Sequence, residues 1–496
     1  MFRFRSDNPL LQSPLDAIEV PFGHFAWCHL GQQGYLLKLG EIIIAIDAYL
    51  SPHPKRLVPP QMTLEQFHPV SMVLGTHDHI DHIDRDAWKT LAKFHSFLSF
   101  LVPAECRDAV SKAIGLSDGH LHGIRDGESL KWDGITIHAI AAAHETLSRN
   151  PVTGNHPSLM YVIEGNGVRI LHAGDTCLYD GMVSRLRPFM PLTAAMLPIN
   201  GRDAERLGRG CIGNMTYQEA ADLAGLLQPA LTLPGHFDMF PGNTEDPNRF
   251  LSYFQLKYPW LNAAIPVPGQ VNLFAAPSLP PSCIPATRLE DDCYDWHERH
   301  RRKLEEALAG NHDIVLIGDS ITHFWETTHG PESYRKLFGG RSVLNLGFGW
   351  DRTCNVLWRL RNGEFANQHP KFAVIHIGTN NLTQTPNYPG DTPEQTFQGI
   401  CAVVDEILRQ SPHTRIILMC VFPRGLNHEP YRQPINELNE LLRQRLANRY
   451  EITLVDLSPS MMSHGELNTT LYRDNCHLNE EGYAIWAKRL QPLLDN

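Results

Sequence analysis

The sequence predicts an α/β protein of two domains, and three observations support this prediction. The chain has 496 residues, which is more than a single ordinary hydrophobic core organises. Four prolines occur among the nine residues 277–285, where they exclude a helix or a central strand and indicate a semi-rigid spacer. Short β-rich segments precede this spacer, whereas continuous apolar runs typical of buried parallel strands follow it. We therefore expect domains over residues 1–276 and 290–496, with a proline-rich linker over residues 277–289.

The composition is that of a globular protein, with 42% hydrophobic and 20% charged residues. No apolar run reaches the 18 residues that a membrane span requires. Residues 1–7 lack the apolar core of a secretory leader. The ten cysteines are scattered, with no CxxC pair, so we expect free thiols and a cytoplasmic location.

The formal net charge of −11 argues against a general nucleic-acid binder and favours small-molecule substrates as partners. The sequence leaves the oligomeric state open, including a homo-oligomer. The 26 histidines exceed what composition alone leads one to expect, so some of them need a chemical explanation.

The first such explanation comes from a loop rich in histidine at residues 76–84. An apolar run at 70–74 predicts a buried strand that ends at Gly75. His77 and His79 alternate, so in an extended loop they project to the same side, while Asp81 and His82 can turn toward a second point. Imidazole nitrogen and carboxylate oxygen suit divalent cations. The spacing therefore predicts two neighbouring ions rather than a surface loop that happens to contain histidines.

Two strands are expected before this loop, at residues 35–39 and 41–46, and a helix over about 84–92 after it. Asp47 follows the second strand. It could orient a metal-bound histidine through a hydrogen bond, or it could cap the following turn, and both interpretations are open.

Three later side chains each follow an apolar strand. The predicted strands cover residues 135–140, 168–171 and 231–235, and the side chains that follow them are His144, Asp175 and His236. A single histidine in such a place is more often structural, but loops after strands converge at one edge of a sheet. Together with the histidine loop, these positions predict further metal ligands.

The order HxHxDH, then His144, Asp175 and His236, resembles the metallo-β-lactamase superfamily over residues 20–275. The 76–84 loop, the turn at 172–175 and the loop at 234–236 are similar to its L-ascorbate-6-phosphate lactonase-like branch, although that branch usually has a carboxylate at the position of His144. The resemblance implies an αββα sandwich that holds two divalent ions, zinc or manganese, with iron as an alternative. The implied ligands are His77, His79 and His144 for one ion, Asp81, His82 and His236 for the other, and Asp175 as the bridge.

The chemistry of this ligand set is that of a hydrolase. Two dications that share a carboxylate lower the pKa of a bound water toward neutrality and polarise the oxygen of a carbonyl or phosphoryl group. Asp81 would be deprotonated and would also steer the attacking water.

Residues 200–210 form a loop rich in glycine and arginine, ahead of a capping-box sequence at 216–219 that predicts a helix start. Its arginines are Arg202, Arg206 and Arg209. They could bind a phosphate or carboxylate in bidentate fashion, or they could be solvated surface charge.

The second half of the chain predicts a doubly wound α/β/α sheet. A charged helix over about 291–308 precedes the first of five apolar runs, and helical patterns separate these runs. The predicted strands are 314–317, 343–346, 373–377, 416–421 and 452–455. An active site is expected at the carboxyl ends of such strands.

Those strand ends have a characteristic set of residues. Ser320 follows the first strand, Gly347 the second and Asn380 the third, and Asp474 and His477 precede a final helix. Each is uninformative alone, but the order of all of them is specific. Over residues 290–496 it resembles the SGNH (GDSL-type) hydrolases, and residues 355–364 and 422–425 are similar to the platelet-activating factor acetylhydrolase catalytic subunits and related carbohydrate acetylesterases.

The resemblance implies that Ser320 is the nucleophile, His477 the general base and then acid, and Asp474 its orienting carboxylate. The N–H groups of Ser320 and Gly347, with the Asn380 amide, would form the oxyanion hole. Trp350 replaces a frequent glycine of that subgroup, which would narrow the acyl pocket and favour acetyl groups.

The whole sequence therefore predicts a bifunctional hydrolase. The first domain would be a di-metal lactonase or phosphoesterase acting on a small, sugar-derived, anionic substrate, and the second a serine esterase that removes short acyl groups. The alternatives are a phosphodiesterase for lipids or nucleotides in the first domain, or a non-catalytic metal-binding scaffold beside an active esterase.

Overall fold

The computed structural model describes residues 13–116, 119–426 and 429–495. The expectation about a secretory leader concerns residues 1–7, which lie outside the described residues. The polypeptide divides into two compact units, Met1–Pro277 and Ser278–Asn496. Within the described ranges, no helix is both long and apolar enough to cross a bilayer.

The first unit is built from two β-sheets and six α-helices along the described part of its chain. Its strands are β1 (His24–Gly31), β2 (Gly34–Leu39), β3 (Ile42–Ile46), β4 (Met72–Leu74), β5 (Ser99–Pro103), β6 (Leu121–Ile124), β7 (Ser129–Trp132), β8 (Ile135–Ala141), β9 (Leu159–Gly165), β10 (Val168–His172), β11 (Ala194–Pro198), β12 (Leu231–Gly235) and β13 (Val271–Ala275). Its helices are α1 (Arg85–Phe94), α2 (Arg107–Ile114), α3 (Met182–Leu186), α4 (Ala204–Gly208), α5 (Tyr217–Leu227) and α6 (Pro247–Lys257). One sheet has the order β13-β1-β2-β3-β4-β5-β6 and the other β12-β11-β10-β9-β8-β7.

The two sheets pack face to face, and helices cover their outer surfaces. Leu37 and Ile44 of the first sheet belong to the same buried cluster as Ile170 of the second. On the opposite face of the first sheet, Leu36 packs in a cluster with Trp88 of α1. Helices α5 and α6 cover the other face of the second sheet. The αββα sandwich that the sequence predicts is thereby confirmed.

The carboxyl ends of several strands lie next to one another because the neighbouring strands are parallel. Strands β3, β4, β5 and β6 are parallel neighbours, and so are β10, β11 and β12. The predicted strand at 70–74 is shorter than expected and begins at Met72. Helix α1 begins after Asp84, whose carboxylate accepts a hydrogen bond from the Ala87 N–H, so the cap residue closes the histidine loop.

The second unit is a single five-stranded sheet with helices on both faces and a small hairpin. Its strands are β14 (Ile314–Gly318), β15 (Val343–Gly347), β16 (Phe372–His376), β17 (Arg415–Met419) and β18 (Ile452–Val455), with the hairpin strands β19 (Met462–Ser463) and β20 (Glu466–Leu467). Its α-helices are α7 (Trp296–Ala309), α8 (Ser320–Phe324), α9 (Pro331–Phe338), α10 (Thr353–Arg359), α11 (Pro393–Gln410), α12 (Arg432–Leu446), α13 (Ser458–Met461) and α14 (Glu480–Leu494). The sheet order is β15-β14-β16-β17-β18, and all four pairings are parallel.

This arrangement confirms the predicted doubly wound α/β/α fold. Helix α7 begins at Trp296, about five residues later than the charged pattern suggested, because the Asp295 carboxylate accepts from the Glu298 N–H and caps the helix there. Strand β14 is flanked by β15 on one side and β16 on the other, so the winding direction reverses beside it. Such a switch point opens a crevice at the carboxyl end of the strand, where Ser320 begins α8.

Candidate active sites

The seven side chains expected to bind metal lie together at the carboxyl edges of the first unit's two sheets. Their nitrogen and oxygen atoms form three overlapping groups, each with all ligand atoms within 4.8 Å of one another. The groups are His77, His79 and His144; His77, His82 and Asp175; and Asp81, His82 and His236.

The Asp175 carboxylate lies between the first and the third of these groups. Its Oδ1 is 3.5 Å from His82 Nε2, and its Oδ2 is 3.2 Å from His236 Nε2 and 3.8 Å from His144 Nε2. Asp81 Oδ2 completes the third group, 3.7 Å from His82 Nε2 and 3.8 Å from His236 Nε2. Separations of this size leave room for a cation with ligand bonds of about 2.1 Å.

Asp47 orients the histidine loop and does not cap a turn. The Thr76 N–H donates to Asp47 Oδ1 over 2.8 Å, and the Thr76 hydroxyl donates to Oδ2 over 2.7 Å. His82 Nδ1 also lies 2.7 Å from Asp47 Oδ2. This bond turns His82 Nε2 toward Asp81 and Asp175, which favours the orienting interpretation of Asp47.

The pKa values of these histidines are shifted in different directions. Burial lowers the pKa of His82, but the carboxylates of Asp47, Asp175 and Asp81 outweigh it and raise the value to about 10. Burial, assisted by the neighbouring His82, holds the pKa of His77 well below its usual range. Burial also lowers the pKa of His144 to about 4. The neutral form of His77 and His144 is the form that coordinates a cation.

The donor set fits divalent metal ions. In the described part of the chain, His82 Nε2, both ring nitrogens of His144 and Asp175 Oδ1 are buried without a hydrogen-bond partner. Buried polar atoms left unpaired cost about 1–3 kcal/mol each, so such a concentration of them indicates a missing partner. Nitrogen and carboxylate oxygen converge on the same space, and a cation would satisfy them together.

The arginines of the 200–210 loop have partners of their own. The Arg202 guanidinium donates to both carboxylate oxygens of Glu219, over 2.7 and 2.8 Å. Arg206 pairs with Asp203 over 2.8 Å and donates to the Asn200 carbonyl. Arg209 is half exposed and lies 3.8 Å from Glu205. These contacts favour a structural role for Arg202 and Arg206 and surface charge for Arg209.

One residue of this site, Gln32, was not predicted from the sequence. Gln32 lies in the turn between β1 and β2, and its amide nitrogen is 2.8 Å from Asp81 Oδ2 and 3.1 Å from His236 Nε2. Glutamine is a rare ligand, so its type gave no signal. The only local signal was the short turn between the two strands, which runs from Gly31 to Gly34, because glycine lets a backbone approach another element closely.

The second unit brings Ser320, His477 and Asp474 into hydrogen-bond order. Ser320 Oγ is 2.9 Å from His477 Nε2, and His477 Nδ1 is 2.7 Å from Asp474 Oδ2. The His477 N–H also donates to Asp474 Oδ1 over 2.7 Å. Partial burial raises the pKa of Asp474, but these bonds outweigh it and lower the pKa, so the carboxylate is ionised at neutral pH. This is the geometry of a nucleophile, a base and an orienting carboxylate.

At one of the expected oxyanion donors, Gly347, the structure differs from the prediction made from the sequence. The Gly347 N–H donates to the Asn345 side-chain Oδ1 over 2.8 Å, so it is engaged and not free. The reason is local, since Asn345 precedes Gly347 by two residues and its amide nitrogen is held by the Thr322 carbonyl at 3.1 Å. The Asn380 amide donates one hydrogen to the Asp351 carbonyl over 3.1 Å, which leaves its second hydrogen for a substrate.

Gly347 nevertheless has a steric role at the start of α8, beside Ser320. A Cβ atom at Gly347 would lie 2.3 Å from the His323 backbone nitrogen, so only glycine lets the end of β15 approach the start of α8 this closely. The Arg299 guanidinium donates to the Gly347 carbonyl over 2.9 Å and holds the strand end from the other side.

A buried ion cluster supports the loop that follows Gly347. The Asp351 carboxylate accepts from Trp296 Nε1 over 2.7 Å and from Arg359 Nε over 2.8 Å, and Arg359 also pairs with Glu364. Burial raises the pKa of Asp351 to about 6 in spite of Arg359. Because the Asp351 carbonyl binds Asn380, this cluster positions an expected oxyanion donor.

Arg424, which lies in the 422–425 segment, joins two of the site's loops. Its Nη2 donates to Thr383 Oγ1 over 2.5 Å, and its Nη1 lies 3.8 Å from Cys476 Sγ. The next residue, Gly425, donates its N–H to the Asn475 carbonyl over 2.8 Å. The loop that contains Asn380 is thus held against the loop that contains His477.

The two sites place both units among the hydrolases, and the comparisons with known proteins agree. Residues 43–237 match the family model of the beta-lactamase superfamily domain, and residues 316–485 match that of the GDSL-like lipase/acylhydrolase family. Platelet-activating factor acetylhydrolase IB subunit alpha1 of Homo sapiens is 34% identical over 200 residues, which are 40% of this chain and 82% of that protein. Subunit alpha2 of Rattus norvegicus is 33% identical over 200 residues, 40% and 83% of the respective chains.

The chain belongs to the GDSL-like lipase/acylhydrolase family through its second unit, and its first unit is a beta-lactamase superfamily domain. Among solved structures, a metallo hydrolase of the archaeon Ignicoccus hospitalis aligns with 51% of this chain and 98% of its own, at 23% identity and a TM-score of 0.41. An isothiocyanate hydrolase from Delia radicum gut bacteria aligns with 51% and 100%, at 18% identity and a TM-score of 0.41.

Asp319, which caps α8 beside Ser320, is a fully buried acid, and His376 Nδ1 lies 4.0 Å from its Oδ1. Its Oδ1 accepts from the Ile321 N–H over 3.0 Å, and its Oδ2 has no hydrogen-bond partner among the described residues. Burial raises the pKa of Asp319 from 3.8 to about 7, and nearby Asp351 adds to the effect.

Asp319→Asn is expected to stabilise the protein at neutral pH and not in acid. The folded state keeps a proton that the unfolded state loses between pH 3.8 and about 7, so the stability of the unmodified protein falls as pH rises through that window. The asparagine keeps the cap and does not titrate. We expect the difference in free energy of unfolding to grow from near zero at pH 4 to about 2–4 kcal/mol at pH 8.

Denaturant unfolding of the full chain at several pH values measures this difference. Asp313→Asn, at an exposed position just before β14, is the matched control and should show no such growth. An Asp319→Asn effect of the same size at pH 4 and pH 8 would contradict the prediction.

Proposed function

We propose that the protein is a bifunctional hydrolase with two separate active sites, one metal-dependent and one serine-dependent. The observation that supports this most directly is that one chain presents two sets of reactive groups, the three overlapping ligand groups of the first unit and the hydrogen-bonded triad of the second. Each set lies at the carboxyl ends of strands of its own unit.

In the serine site, His477 Nε2 accepts the proton of Ser320 Oγ as that oxygen attacks the ester carbonyl. Asp474 keeps the other ring nitrogen protonated and stabilises the imidazolium. The second hydrogen of the Asn380 amide and the Ser320 N–H at the start of α8 donate to the carbonyl oxygen of the ester, which becomes negative. His477 then returns the proton to the leaving alcohol, and a water that it deprotonates releases the acid from Ser320.

In the first unit, one divalent ion would be held by His77, His79 and His144. A second ion would be held by Asp81, His82 and His236, and Asp175 would bind both ions. Bound ions would lower the pKa of a water molecule and polarise the oxygen of the attacked group. Burial raises the pKa of Asp81, but His82 and His236 outweigh it and lower the value, so the carboxylate is available as a ligand. Zinc or manganese suits this mixed set, and iron is the alternative.

The substrates we propose are small. A lactone or phosphoester would suit the first site, since its two cations would attract an anionic group, and a short-chain ester would suit the second. Acetyl esters and lactones both occur on sugar-derived molecules, so one class of compound could use both sites. A phosphodiester remains the second candidate for the first site, because the same ligand set polarises a phosphoryl oxygen equally well.

Two substitutions should separate the activities. Ser320→Ala removes the attacking oxygen and should lower hydrolysis of p-nitrophenyl acetate by at least about 10³-fold while hydrolysis of lactones or phosphoesters is unchanged. Asp175→Ala removes the shared carboxylate and should do the reverse. Loss of both activities from either substitution would mean a single shared site, and hydrolysis of neither substrate class by the unmodified protein would contradict the proposal.

Metal removal should affect only the first site. Elemental analysis of protein purified without added metal should give about two divalent ions per chain. Dialysis against a chelator should then abolish lactone or phosphoester hydrolysis and leave the hydrolysis of p-nitrophenyl acetate intact in the same sample. If the protein binds metal but hydrolyses no lactone, phosphomonoester or phosphodiester, this result would support the scaffold alternative instead.

Trp350→Gly should widen the range of acyl groups. Trp350 has a φ of 61°, a strained value for a bulky residue, and directly precedes Asp351, whose carbonyl binds Asn380. If its indole limits the acyl pocket, the ratio of kcat/KM for butyrate to that for acetate should rise about 10-fold. An unchanged ratio would show that Trp350 does not select the acyl group.

A further inference from the structure

The turn between β1 and β2 directs one glutamine into the metal-ligand cluster. Gln32 is fully buried, although it lies in a turn, and its φ of 57° is uncommon for a residue other than glycine. Its N–H donates to Asp238 Oδ1 over 2.7 Å, and its carbonyl accepts from the His236 N–H over 2.6 Å and lies 3.2 Å from His29 Nε2. The backbone of Gln32 is therefore held at three points, and this fixes the direction of its side chain.

The amide at the end of that side chain is only half satisfied. The atom assigned as Nε2 lies 2.8 Å from Asp81 Oδ2 and 3.1 Å from His236 Nε2, whereas Oε1 is buried without a hydrogen-bond partner among the residues described. The oxygen and nitrogen of a glutamine amide are exchanged by a half-turn about the last bond, so either atom can occupy the position beside Asp81 and His236.

The two distances match those between neighbouring ligands of one ion. In an octahedral site with bonds of about 2.1 Å, adjacent ligand atoms are about 3.0 Å apart. The terminal atom of Gln32 is 2.8 and 3.1 Å from atoms of the Asp81, His82 and His236 group. An amide oxygen in that position, between a carboxylate oxygen and an imidazole nitrogen, would be stabilised by a cation that all three atoms share.

We infer that Gln32 is a fourth protein ligand of the ion held by Asp81, His82 and His236, and that it binds through its amide oxygen. This inference rests on the metal-dependent half of the proposed function. The strained turn keeps the amide in place before the ion arrives, which lowers the entropy lost on binding. A neutral carbonyl-type oxygen also adds no charge to the site and favours ions that accept several oxygen ligands, such as Mn²⁺ over Zn²⁺.

Three variants of the full chain test this inference through metal binding alone. Gln32→Met keeps the length of the side chain and removes the oxygen, Gln32→Glu keeps an oxygen ligand, and Gln33→Met is the control. Gln33 is the neighbouring glutamine and is equally buried, but its amide nitrogen faces the Met196 carbonyl at 3.4 Å instead of the ligand cluster. Titration of the metal-free proteins with Mn²⁺, followed by the electron paramagnetic resonance of the free ion, gives stoichiometry and affinity.

We expect the unmodified protein, Gln33→Met and Gln32→Glu to bind two Mn²⁺ per chain. Gln32→Met should bind one of the two at least about 10–100-fold more weakly. Equal affinities in Gln32→Met and the unmodified protein would overturn the inference, and so would weakened binding in Gln32→Glu, which would mean that the amide acts only as a donor to Asp81.

Two further results distinguish a failure of this inference from a failure of the proposed function. If the unmodified protein binds no metal, the metal-dependent half of the proposed function fails, and the inference fails with it. Two ions in the unmodified protein with no effect of either Gln32 substitution leave the proposed function intact and overturn the role of Gln32 alone. Far-ultraviolet circular dichroism of the metal-free proteins checks folding, and if Gln32→Met does not fold, the comparison of Gln32→Glu with the unmodified protein decides.

Discussion

A carboxylate that holds an imidazole by Nδ1 is the interaction on which both sites depend. Asp47 binds His82 in the first unit and Asp474 binds His477 in the second, each over 2.7 Å. In both cases the bond selects the tautomer and the rotation of the ring, so that Nε2 faces the place where chemistry would occur. His82 Nε2 faces Asp81 and Asp175, and His477 Nε2 faces Ser320 Oγ. The two folds differ, but the physical requirement is the same.

The carboxylates achieve this from different environments. Asp47 is completely buried, and its charge is balanced by donors from Thr76 and His82, because an unpaired buried charge would cost several kcal/mol. Asp474 is more than half exposed, and its pKa is kept low by the two bonds from His477. The first pair is therefore closed to solvent, whereas the second pair is open to it.

Close approach of backbones is the second constraint that the two sites share. A Cβ at Gly75 would lie 2.4 Å from the Ile83 side chain, which packs the histidine loop back against the end of β4. A Cβ at Gly174 would lie 2.8 Å from the Thr76 side chain, and so the loop with Asp175 contacts the loop with His77. Gly347 has the same function beside α8. Glycine at these positions allows loops from separate strands to bring ligands or catalytic groups within a few ångströms.

The sequence by itself determined the elements, whose signals are local. Apolar runs with the right period predicted the two sheet types, because period and residue type are readable along the chain. HxHxDH and the residues after three later strands predicted metal ligands, and the resemblance to the SGNH hydrolases implied the roles of Ser320, Asp474 and His477. Only the tertiary structure decided the partners. Gln32 meets Asp81 and His236 across 49 and 204 residues, Arg202 is occupied by Glu219, and Gly347 is engaged by Asn345. These outcomes depend on which side chains the folded chain brings within hydrogen-bond distance, and a linear pattern contains no such distances.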